Sequence, residues 1–68
     1  MNPKAEFLRM YNQLPEKAKR ELMIEIYDKE SGWMALKSLY VLVEDVLHET
    51  LLGKKTLVRL GYKKGESR

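Results

Sequence analysis

The 68-residue chain has no cysteine and a single histidine, His48. Disulfides are therefore excluded as staples, and a tetrahedral zinc site, which needs four ligands, is poorly served by one chain. The longest uninterrupted apolar run covers only residues 39–43, far short of the roughly 18 residues that suggest a membrane span. The chain shows no positively charged leader followed by an apolar core, which together with the missing cysteine points to an unprocessed cytoplasmic protein. No glycine-rich phosphate loop follows a strand, and Ser31, Ser38 and Ser67 lack the base and orienting group that activate a hydroxyl. No enzymatic activity, catalytic residue or cofactor is expected. Asn and Gln together number three, against nine Lys and eight Glu, a balance that leans towards thermophilic usage.

A domain this small buries only about 60% of the surface its unfolded chain exposes. Chains below roughly 70–80 residues usually rely on disulfides, a metal, efficient helix packing or oligomerisation. With the first two removed, packing and self-association remain, and a homodimer is the expectation.

What is present is charge, unevenly placed. Residues 1–52 carry seven basic against nine acidic side chains, whereas residues 53–68 carry six basic residues against Glu66 alone. A slightly acidic body followed by a basic end is a pattern that suits polyanions.

Hydrophobic periodicity predicts an all-α fold. Asn2 and Pro3 suit a helix start, and Phe7, Leu8, Met10, Tyr11 and Leu14 form one apolar stripe that stops before Pro15. Pro15 and Glu16 open a second predicted helix, with Ala18, Leu22, Met23 and Ile26 as its stripe, Tyr27 on the flank and Ile24 outside the arc. After a break at Ser31 and Gly32, residues 33–52 read as the central helix, with Ala35, Leu36, Leu39, Tyr40, Leu42, Val43, Val46, Leu47 and Leu51 on one broad face. The expectation is a small three-helix bundle, up-down-up. Its third helix either ends at Gly53, with a short fourth helix or a strand after it, or runs on through Gly53, as the unbroken phase of Leu57, Val58 and Leu60 favours. A helix continuing to Leu60 would be about 42 Å long and would overhang its neighbours. The domain is read as residues 1–61, with 62–68 a basic flexible tail.

Three groups of residues stand out. Glu44, Asp45, His48 and Glu49 lie within one or two helical turns and read chiefly as a solvated face rather than a metal or acid–base site. Met34, Val41 and Leu52, on the side opposite the core, together with the overhanging Leu57, Val58 and Leu60, are the candidates for self-association. Lys54, Lys55, Arg59, Tyr62, Lys63, Lys64 and Arg68 combine phosphate-neutralising charge with an aromatic ring that could stack on a base. A helix-turn-helix reading of the second and third helices is weak, since the end that would read bases is the apolar Trp33-Met34-Ala35-Leu36. The function expected is a non-catalytic helical protein-interaction module, self-associating and without membrane contact. The alternative is a nucleic-acid accessory protein working through the basic end.

Overall fold

A computed structural model describes residues 2–63. In chain order it contains α1 (Pro3–Gln13), α2 (Glu16–Glu21), β1 (Met23–Tyr27), β2 (Met34–Ser38), α3 (Leu39–Leu47) and α4 (Leu51–Arg59). The first helix is as the sequence predicts. The Asn2 side chain accepts the Lys4 amide at 3.0 Å, Pro3 occupies the first helical position, and Phe7 and Tyr11 point into the core.

The all-α, three-helix reading fails at residue 22. The second helix ends after six residues, and the chain turns into an antiparallel hairpin in which Met23 faces Ser38, Ile24 faces Lys37, Glu25 faces Leu36, Ile26 faces Ala35 and Tyr27 faces Met34. The reason is local. Met-Ile-Glu-Ile-Tyr alternates Ile24, Glu25 and Ile26 with period two and is rich in β-branched and aromatic residues, a better fit to a half-buried strand than to a helix. Ile24, the residue that fell outside the helical arc, is half-buried on the same face as buried Ile26. Residues 28–33 close the hairpin: the Asp28 amide donates to the Trp33 carbonyl, the Gly32 amide to the Asp28 carbonyl, and Gly32 adopts a φ of 77°.

The second correction concerns the central helix. Residues 34–38 are strand, so the second and third predicted helices form no helix-turn-helix among the described residues, and the helical part stops at Leu47 rather than running on through Gly53. The stop is a Schellman motif: the Glu49 amide donates to the Val46 carbonyl and the Thr50 amide to the Asp45 carbonyl, with Glu49 left-handed at φ 56°. Thr50 then caps α4 by accepting the Gly53 amide on its hydroxyl and donating that hydroxyl to an Asp45 carboxylate oxygen at 2.9 Å. Gly53 neither ends nor merely continues a helix. It lies buried inside α4, pressed against the backbone of α3 so closely that a Cβ there would fall 2.1 Å from the Asp45 carbonyl oxygen.

The overhang therefore folds back. Phe7, Tyr11, Leu39, Val46 and Leu57 form the core cluster, with Leu8, Met10, Leu14, Ile24, Val43, Leu60 and Tyr62 packed around it. α4 ends in a second Schellman motif, with Gly61 at φ 88° and the Tyr62 amide bonded to the Leu57 carbonyl. That motif seats the Tyr62 ring edge-on to Phe7, at 6.2 Å between centroids. Tyr62, the first residue of the expected tail, is thus packed on the core.

Candidate interaction surface

Because side chains alternate across a strand, the hairpin has two faces. Ile24 and Ile26 turn inward, and α4 packs along β1. Met23, Tyr27, Met34 and Leu36 turn outward around Glu25, and they are 50%, 58%, 59% and 63% exposed. A helical reading of this segment had buried Met23 and Leu36 and left Ile24 out; the strand inverts that assignment.

The two edges of the hairpin differ. Rungs at Leu22 with Leu39 and at Asp28 with Trp33 set the ladder phase. Glu25 and Leu36 form a pair whose backbone groups point away from each other. On the β1 edge the outward Glu25 carbonyl accepts the Arg59 Nε at 3.0 Å. On the β2 edge the outward amides and carbonyls of Met34 and Leu36 receive no such bond among the described residues.

Beyond the hairpin tip lies an open cleft of about 640 Å³ between the turn and the start of α4. Trp33 and the highly exposed Leu51 form its apolar walls, with Leu52 half-buried beside them. Its polar side is fixed by Asp28, whose carboxylate accepts the Ser31 hydroxyl at 2.7 Å and the Lys55 ammonium at 3.3 Å. The Ser31 hydrogen bond first, and the Lys55 contact second, hold the Asp28 carboxyl below its ordinary pKa.

The residues singled out in the sequence scatter. Met34 lies on the outer hairpin face, Val41 is exposed on α3, Leu52 lines the cleft and Val58 is exposed on α4. Leu57 is in the core and Leu60 half-buried against it, so neither is free for a partner. Of the basic group, Lys55 is ion-paired with Asp28, Arg59 is bound to the β1 edge and Tyr62 is packed on Phe7. Lys54 and Lys63 are exposed, while Lys64 and Arg68 lie outside the described residues. The acidic cluster is drawn apart as well: Glu44 meets His48 at 3.5 Å, Asp45 holds Thr50, and Glu49 pairs with Lys4. Among the described residues no three acidic or histidine side chains converge as metal ligands do, and no buried side-chain polar atom lacks a partner.

Sequence reasoning missed the outer residues Met23, Tyr27 and Leu36 and the cleft residue Trp33. The alternation of Ile24, Glu25 and Ile26, flanked by Met23 and Tyr27, was the available signal for the first two. Among the described residues no helix is long and apolar enough to cross a membrane. In comparison with known proteins, the chain matches no family model, no curated protein and no solved structure.

Proposed function

We propose that this domain is a non-catalytic interaction module that works by self-association through its exposed hairpin. The observation that carries the reading is the set of four large apolar side chains on the hairpin's outer face, each at least half exposed. Large apolar side chains grouped on one exposed face are the kind of surface that marks an interaction site. A second copy is the partner favoured by the chain's small size without disulfides.

Light scattering or sedimentation over a concentration series tests this. The expected result is a mass rising from monomer to dimer, with a dissociation constant on the order of 10 µM, the range of a weak association. Replacing Leu36 by Glu should hold the protein monomeric without altering its circular dichroism. A wild-type chain that stays monomeric at millimolar concentration would overturn the reading.

A further inference from the structure

We infer that two copies join through their β2 edges, antiparallel across a two-fold axis at Leu36, to give a four-stranded sheet in the order β1, β2, β2 of the second copy, β1 of the second copy. This rests on the self-association reading and specifies its geometry. The open edge is the first support. Among the described residues the outward amides and carbonyls at Met34 and Leu36 take no hydrogen bond, while on β1 the central outward carbonyl, that of Glu25, is taken by Arg59 reaching from α4, which packs along that strand. An edge strand with free backbone groups is a template for another strand, and among the described residues β2 is the edge with no side chain bonded across it.

The sequence of β2 is the second support, because it pairs with itself without conflict. In Met-Ala-Leu-Lys-Ser, a two-fold axis at the central Leu36 sets Met34 opposite Ser38 and Ala35 opposite Lys37 of the second copy. No like charges meet, whereas an axis at Lys37 would oppose two ammonium groups. The ladder phase agrees, since the residues that exchange bonds across the new edge must be those not bonded to β1, and Leu36 is one of them. Leu36 of each copy then donates its amide to the carbonyl of the other. The two outer faces become one apolar surface twice as wide.

Absence of native cysteine makes the geometry directly testable by single-cysteine cross-linking of the full chain. Opposed Leu36 positions lie about 5.5 Å apart between Cα atoms, within the 4.4–6.8 Å that a disulfide spans. Met34 of one copy lies about 13 Å from Met34 of the other, four residues along the strand and out of reach. Under mild oxidation Leu36→Cys should become a covalent dimer and Met34→Cys should not. In parallel, Leu36→Pro deletes the outward amide and leaves the β1 ladder intact, and it should weaken dimerisation by roughly 30-fold, the loss of two backbone hydrogen bonds. Equal cross-linking at 34 and 36 with a dimer that survives Leu36→Pro would overturn edge pairing in favour of face-to-face stacking, and the self-association reading would stand. A wild-type monomer at every concentration would overturn both.

Discussion

Replacing Gly53 by Ala separates this fold from a continuous third helix by the sign of its effect. In an exposed helix interior the change stabilises by about 1 kcal/mol, because Ala has the higher helix propensity. Here the added Cβ would lie 2.1 Å from the Asp45 carbonyl oxygen, 2.5 Å from the Asp45 carbonyl carbon and 2.8 Å from the Val46 nitrogen. Ordinary contacts of carbon begin near 3.5 Å, so α4 would have to withdraw by more than 1 Å from α3. All three obstructing atoms are backbone, and no flexible side chain can yield. Withdrawal would also part Val46 from Leu57, both members of the core cluster. Overpacking against yielding neighbours costs about 1–3 kcal/mol, and an unyielding backbone places Gly53→Ala at or above the upper end. Against a total stability of about 3–10 kcal/mol for 68 residues, a 3 kcal/mol loss lowers Tm by roughly 12–24 °C. Gly61→Ala is the control: nothing lies within 4 Å of its Cβ, so it carries only the cost of a positive φ, about 1 kcal/mol. Thermal and urea unfolding followed by circular dichroism give both values. An unchanged or raised Tm for Gly53→Ala would refute the close α3–α4 approach.

Three further outcomes follow from the same geometry. Glu49→Gly should stabilise by about 0.5–1 kcal/mol in urea unfolding, since a left-handed residue gains more from glycine than it loses from the exposed Lys4 pair; a lower midpoint would contradict the motif. Tyr62→Ala should destabilise by about 1–2 kcal/mol through loss of the edge contact with Phe7, where a residue in a free tail would leave the midpoint unmoved. The folded-state pKa of Asp28 lies below its unfolded value, so its stabilising contribution is complete above that unfolded value, near pH 4, and is lost as pH falls through the folded pKa. Asp28→Asn should therefore be less stable than wild type at neutral pH, with the gap narrowing below about pH 4; a gap that persists in acid would rule out the carboxylate contacts as its source.

Much of the helical content was legible because its signals are local. Asn2, Pro3 and Pro15 bracket α1, and Phe7 and Tyr11 stand where the stripe put them. Leu39, Leu42 and Val46 keep their place in the core even though their helix is half the expected length. The hairpin was not read because Leu22, Met23 and Ile26 also fit helical spacing, and a short apolar run supports either period. What separated the two was Ile24, the residue a helix could not place. The break at residues 48–50 was illegible for another reason. Its left-handed position is filled by Glu49 rather than by glycine, so the signal pointed four residues downstream, where Gly53 serves contact between helices rather than chain reversal. The basic residues had a pattern but no visible partners, and Asp28, the β1 edge and Phe7 become their neighbours only in three dimensions.

Ser38 is both the last residue of β2 and the cap whose hydroxyl accepts the Val41 amide at the start of α3. No linker separates strand from helix, and the Leu39 amide itself makes the final rung with Leu22. The edge strand and the core helix are therefore one mechanical piece. Sliding β2 by one residue would uncap α3 and rotate Leu39 and Leu42 out of the interior, so the register of the hairpin is held by the packing of the helix behind it. Any strand that docks on β2 meets an edge clamped at its far end, a rigid docking rail whose alignment is set by the hydrophobic core.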